Sequence, residues 1–414
     1  MNKNFWKVIG PGIIWAGAAI GVSHLVQSTR AGASFGFELV LLVLAVNLLK
    51  YPFFEFGPRY AAVTGESLVH GYNRLGKWAV YVFFIMTVGT MFTIQAAVSS
   101  VTIGIVSSIF PRVLSFRGWG ILLFGLCLFI VAVGRYKALD NLMKVFVLML
   151  AVSTVLAVIT AATKGFHPNP EFATSFTWTT GDVAFLIALA GWMPSAIDIS
   201  VWNSMWTLEK IRQTGYRPKL KEILLDFNIG YIGTTFLSLC FLALGAFSMY
   251  GSGMDFSQDG AIFSMQLFSL YTTSLGSWAY VIIAIAATAT MFSTTLTVVD
   301  AYPRVLIPTT QIIFPSVLKT KANSYLNYFW WILLLTGAFL IMTSFSSKMK
   351  LMVDIATSLS FVTAPVLGYL NYKAVTGKNV PPENQPKPAM KILSWVGLIL
   401  LSAFALYFIF TRVF

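Results

Sequence analysis

Eleven apolar runs of membrane-crossing length divide this 414-residue chain. They lie near residues 8–29, 38–58, 78–109, 118–134, 142–163, 183–204, 225–249, 278–302, 327–345, 351–372 and 391–412. A helix needs about 20 apolar residues to cross the hydrocarbon core of a bilayer. Within that core only helices and closed barrels leave no backbone group unpaired. Long unbroken runs point to helices, and the composition agrees: 57% of residues are hydrophobic and 10% charged, against about 25% charged in soluble domains. The fold class read from the sequence is an all-α membrane protein of eleven transmembrane helices. The lipid bilayer is its first partner.

The net charge of +13 does not describe a nucleic-acid surface, because the lysines and arginines stand in the connectors between apolar runs. With the N-terminus inside, 20 of the 28 fall on the inner side and 7 on the outer, and Lys50 remains within the second run. Cytoplasmic loops carry such an excess. The expected placement is a cell (inner or plasma) membrane, N-terminus cytoplasmic and C-terminus external. Cys127 and Cys240 both fall within apolar runs, so no disulfide framework is implied. Neither a phosphate-binding glycine loop, zinc-ligand spacing nor a nucleophile–base arrangement is present. The chain therefore does not read as an enzyme, and no protein partner is indicated.

Two of the runs are interrupted. The first, "AGAAIGVSHLVQSTRAGASFG" (16–36), puts Ser23, His24, Gln27 and Ser28 where a lipid-facing helix would carry Leu or Val. The sixth, "FLIALAGWMPSAIDISVW" (185–202), contains Gly191 and Pro194, followed by Ser195, Asp198 and Ser200. Proline removes an N–H and clashes one turn back, so the helix must kink or unwind there. Freed backbone groups persist at that depth only beside protein or a water-lined cavity. Five spans precede the sixth, so halves of five spans would run in opposite directions. Interrupted helices in corresponding positions of two inverted repeats point to a substrate site in secondary transporters. The expected organisation is a first five-helix repeat over 1–165, an inverted second over 166–375, and a linker with the eleventh helix over 376–414.

The stretches "GPGIIWAG" (10–17), "RAGASFGFELV" (30–40) and "NLLKYPFFEFGPRYAAVTGESL" (47–68) resemble the opening of the Nramp family of divalent-metal transporters. "ALAGWMPSAI" (188–197) is similar to the family's Ala-x-x-Met-Pro-His segment. The likeness spans about residues 8–305 and implies a five-plus-five inverted repeat with one additional helix. It also implies transport of manganese, iron or a related cation by alternating access, with no permanently bound cofactor. The family's Asp-Pro-Gly-Asn motif falls on Gly21, Val22, Ser23 and His24, so its carboxylate is absent. The methionine ligand becomes Met193, the backbone-carbonyl position Ala190, and the following histidine Ser195. Gln95 stands in a third span that lacks the family's acids.

The expected substrate or metal site is therefore Gly21, His24, Ala190, Met193 and Asp198. A neutral imidazole ligates borderline divalent metals and a thioether softer ones. A carboxylate at mid-bilayer is functional by default. Met193 and Asp198 stand five positions apart, about 140° on a regular helix, so they can share a ligand only if the segment unwinds. Asp300, Thr294 and Thr297 are candidates for coupling or a second ion site, although Asp300 also stands i, i+4 from Arg304. Glu55 and Arg59 have the spacing of a gating or structural ion pair. Two other functions fit the same pattern. One is a sodium- or proton-coupled symporter whose broken-helix N–H groups hold an organic solute. The other is a non-transporting membrane sensor with the basic stretch 207–224 as a docking surface.

Overall fold

The computed structural model of the chain describes residues 8–133, 136–315 and 322–413. Lys3, Lys7, Arg135, Lys319 and Lys321, and the side chains of Lys137 and Arg412, all used in the charge count, lie outside the described residues. The described chain is helical, with no strand. In order come α1 (Pro11–Ala19), a π-helical turn (Ser23–Ser28), α2 (Thr29–Phe35), α3 (Val40–Thr64), α4 (Leu68–Leu75), α5 (Lys77–Ile109), α6 (Phe116–Val133) and α7 (Tyr136–Thr163). The second half holds α8 (Thr180–Gly191), α9 (Ile199–Thr214), α10 (Leu220–Met249), α11 (Gly260–Leu275), α12 (Ala279–Ile313), α13 (Ala322–Ser344), α14 (Met349–Val375) and α15 (Pro388–Val413).

Among the described residues, nine of these helices are long and apolar enough to cross a membrane: α3, α5, α6, α7, α10, α12, α13, α14 and α15. The remaining apolar runs are split, each into two short helices: α1 with α2, and α8 with α9. The third run is a single helix through Ile109. The eighth run ends near residue 302 in the sequence, but its helix α12 continues past Pro303 and Pro308 to Ile313. The basic connector is shorter than its composition suggests. Residues through Thr214 extend α9, and α10 starts at Leu220. Leu148, Phe129 and Ile399 on α7, α6 and α15 point outward, which is the apolar exterior that lipid requires.

The packing partners exchange between the halves. The split pair α1–α2 lies on α10, while α9 lies on α3 and α8 on α14. Likewise α5 packs against α14, and α12 against α7. Small residues allow the split helices this intimacy, as is usual where membrane helices pack without a hydrophobic driving force. A Cβ on Gly32 of α2 would stand 1.8 Å from the Leu242 carbonyl oxygen of α10, and one on Gly191 of α8 would stand 1.9 Å from that of Thr357 in α14. The start of α1 is pinned by a carboxylate. Asp226 of α10 accepts from the backbone N–H of Gly10 at 3.1 Å and of Gly12 at 2.6 Å, satisfying two of the helix's orphan donors at its positive end.

Candidate functional site

The break in the first split pair falls at Ile20–Gly21, just before the expected Gly21–His24. α1 ends at Ala19, and Ile20 leaves helical geometry with ψ 87°. The chain repairs this break from within. The Gly21 carbonyl accepts the N–H groups of His24 at 3.1 Å and Leu25 at 2.9 Å, and the following residues wind into the π turn. Such turns are wider than α and are frequent at functional sites. Ser23 donates to the Ala19 carbonyl at 2.6 Å. His24 is fully buried and engaged at both nitrogens, with Nδ1 2.7 Å from Ser23 Oγ and Nε2 2.9 Å from the Thr234 carbonyl of α10. A carbonyl only accepts, so Nε2 carries a proton. His24 bridges the break to α10, and neither nitrogen points into open space.

The second break is held by charges from outside it. α8 ends at Gly191, and α9 begins after Asp198. Lys50 of α3, fully buried, donates from Nζ to the carbonyls of Ala190 at 2.6 Å, Gly191 at 2.8 Å and Ser195 at 3.4 Å. Its ammonium thus caps the negative end of α8. Asp198 occupies the N-cap of α9, at that helix's positive end, so each charge complements the dipole it meets. Asp198 Oδ2 accepts from the Tyr302 hydroxyl of α12 at 3.0 Å. Its Oδ1 is buried and has no hydrogen-bond partner among the described residues. The Trp192 indole donates to Ser360 of α14 at 2.8 Å.

A small cavity lies between the two breaks, about 30 Å³ in volume, room for about one or two water-sized particles. Its polar lining comes from Ser23, Ser195, Asp198 and Thr294; Ile94 and Val98 of α5 and Val298 of α12 close its apolar walls. Gly21 lets the first break approach α12, since a Cβ there would meet Thr294 Oγ1 at 2.9 Å. Of the residues expected at a substrate site, Asp198 lines this cavity. Met193 is fully buried in the core, and Met193, Ala190 and His24 are not among the lining side chains. Of the coupling candidates Thr294 reaches it, whereas Thr297 is buried beside it and Asp300 is ion-paired with Arg304 at 2.6 Å. Among the described residues no group of three or more His, Cys, Asp and Glu side chains is arranged to hold a metal ion.

Two ion pairs brace the assembly. Arg59 meets Glu55 at 2.6 Å and also donates to the Asn384 carbonyl at 2.6 Å, so this pair ties α3 to the proline-rich connector before α15. Arg30 of α2 grips Asp354 of α14 through both oxygens, at 2.6 and 3.1 Å, with Gln27 bonded to both residues. This second pair borders a surface cleft of about 490 Å³. Sequence reasoning does not foresee the pairing of Arg30 or the seat of Lys50. A lysine in the interior of an apolar run is the available signal, because such residues pair with carboxylates or backbone carbonyls.

The family model described as "Natural resistance-associated macrophage protein-like" matches residues 12–411. The chain belongs to the Nramp family. An uncharacterised protein of Pasteurella multocida (strain Pm70) is 36% identical over 417 residues, covering 99% of this Nramp chain and 94% of the relative. Among solved structures, the Eremococcus coleocola manganese transporter superposes with a TM-score of 0.66 at 12% identity, over 98% of this chain and 87% of that one. MhsT in complex with L-phenylalanine superposes with a TM-score of 0.62 at 15% identity, over 96% and 97%. At such identities the likeness is one of fold. In this Nramp protein the split helices, the absent first-span carboxylate and the Asp198 cavity belong to one architecture.

Proposed function

We infer that the protein is a secondary transporter that carries a metal cation across the membrane by alternating access, with Asp198 as the anionic ligand. The observation that carries this reading is the buried, unpartnered Oδ1 of Asp198 beside a cavity between two broken helices. A desolvated carboxylate oxygen without a partner is unfavourable, and an entering cation relieves it. Ser23, Ser195 and Thr294, which line the cavity with Asp198, carry hydroxyl groups. An all-oxygen set suits hard ions such as manganese or magnesium better than thiophilic ones. The similar fold of the Eremococcus coleocola manganese transporter agrees with that choice. The exchange of packing partners between halves supports the five-plus-five inverted repeat over 1–165 and 166–375, and the charge count supports a cytoplasmic N-terminus. The test is manganese uptake into proteoliposomes. Asp198→Asn, which removes a charge-assisted contact of about 1.5–3 kcal/mol, lowers uptake by about tenfold or more. Uptake by Asp198→Asn with unchanged affinity overturns the assignment.

A second reading is symport of a small organic solute. It is favoured by the engagement of Ala190 and His24 within the protein and by the similar fold that holds L-phenylalanine. Calorimetry with a panel of metals and of amino and organic acids separates the two. Saturable heat from an acid, with none from any metal, selects the second.

A further inference from the structure

We propose that the break between α8 and α9 is a carbonyl-lined cation site that the protein fills with its own Lys50. This goes beyond the transport reading and assumes nothing about the cargo at Asp198.

The site has the composition of a small-cation cage. Three backbone carbonyls, from Ala190, Gly191 and Ser195, converge on one point at 2.6, 2.8 and 3.4 Å from Nζ. The first two belong to the last turn of α8, where carbonyls lack the partners of a continuing helix. The Ala190 oxygen also accepts the Met193 N–H at 3.3 Å, and Lys50 supplies a further donor. Lys50 comes from another span, 140 residues away from Ala190. Among the described residues its hydrogen bonds all go to these carbonyls, and no carboxylate lies within ion-pair distance. An ammonium so buried is retained because each N–H finds an oxygen and because the end of α8 carries partial negative charge. Oriented carbonyls of an unwound membrane helix hold free alkali cations in the same way in other transporters with broken helices. Here the ligand is tethered. While it is seated, the Ala190 and Gly191 carbonyls are not ligands for any transported ion, and the break stays formed without a diffusible one. Ser195 connects this site to the Asp198 cavity, since its carbonyl faces Lys50 and it also lines the cavity.

The experiment is chemical rescue in the purified full-length protein. Lys50→Ala removes the three methylenes and ammonium that propylammonium replaces. Binding to the folded state raises the unfolding midpoint, and the rise grows with the logarithm of ligand concentration above the dissociation constant. In Lys50→Ala the midpoint is expected to fall by several degrees and to rise again with propylammonium, in step with the logarithm of its concentration. It should recover far less with propanol, which fills the space without charge, or with tetramethylammonium, which has charge but no N–H. The wild type should respond to none of them. Equal rescue by propanol reduces Lys50 to a space-filler and overturns the proposal, as does no rescue of a folded Lys50→Ala. If Lys50→Ala does not fold, Lys50→Arg and Lys50→Met decide. Retention of the fold by the arginine variant and its loss in the methionine variant support the tethered cation; a methionine variant at least as stable as the arginine variant refutes it. Because the readout is stability, its failure leaves the Asp198 assignment standing, and the failure of that assignment leaves this one standing.

Discussion

The two helix breaks solve one problem in opposite ways. Each frees carbonyls and N–H groups in the apolar interior, where an unpaired group costs several kcal/mol. The first break closes on itself: the Gly21 carbonyl returns to His24 and Leu25, Ser23 takes Ala19, and His24 leans on Thr234. The second is held from elsewhere, by Lys50 of α3 on its carbonyl end and Tyr302 of α12 on Asp198 at its N–H end. The backbone groups of the first break find their partners within it, and His24 anchors it to α10. A break that depends on side chains from other spans changes whenever those spans move. The second break is therefore the one whose geometry depends on where α3 and α12 sit.

The sharpest contrast lies in the glycines. At Gly191 an added Cβ would run into the Thr357 backbone at 1.9 Å, whereas at Gly21 it would meet the Thr294 side chain at 2.9 Å. Backbone cannot step aside, so Gly191→Ala must push α8 off α14, at roughly 3 kcal/mol or more. The Thr294 side chain, which meets the added Cβ through Oγ1 and also through Cγ2 at 3.1 Å, can shift by a few tenths of an ångström, and Gly21→Ala should cost about 1 kcal/mol. Unfolding midpoints of the two variants measure this. If Gly21→Ala proves the more damaging, the rigid and the yielding break have been assigned the wrong way round.

His24 separates structure from binding in the first break. His24→Phe keeps a ring beside Phe241 but abandons the Thr234 carbonyl and Ser23, a loss of about 1–3 kcal/mol in stability. Cation affinity measured by calorimetry should stay as in the wild type, because His24 does not line the cavity. A drop in affinity with stability preserved would make His24 a ligand, as its sequence position suggests.

What the sequence discloses follows from where the physics is local. Apolar run length is a local property, so the span from Lys77 to Ile109 is legible to within a residue. The breaks are legible too, because Pro194 and the Ser23–Ser28 polar run act within a turn or two. The seat of Lys50 is not, for its partners are carbonyls some 140 residues away, and a carbonyl carries no residue identity to search for. Met193 illustrates the converse. Its place beside Pro194 marks the break, but which way a side chain turns there depends on packing from distant segments, and it turns into the core. The short helix α11 escapes a reading by spans because it lies between them, outside any apolar run of membrane length.

The smallest expected effect concerns Asp300, the carboxylate whose sequence position competes with that of Asp198. Both are buried or nearly so and both carry one strong contact, yet their surroundings differ. Asp300 is met by Arg304 one turn on, whose side chain is half exposed at 49%, while Asp198 lines the cavity between the breaks with an oxygen to spare. A partly hydrated i, i+4 pair contributes about 0–1 kcal/mol. Asp300→Asn should therefore shift the unfolding midpoint barely and leave uptake intact, in the same proteoliposomes in which Asp198→Asn depresses it. Were Asp300→Asn to stop uptake while the protein stayed folded, the carboxylate that matters would be farther along α12, and the cavity between the breaks would lose its claim to the cargo.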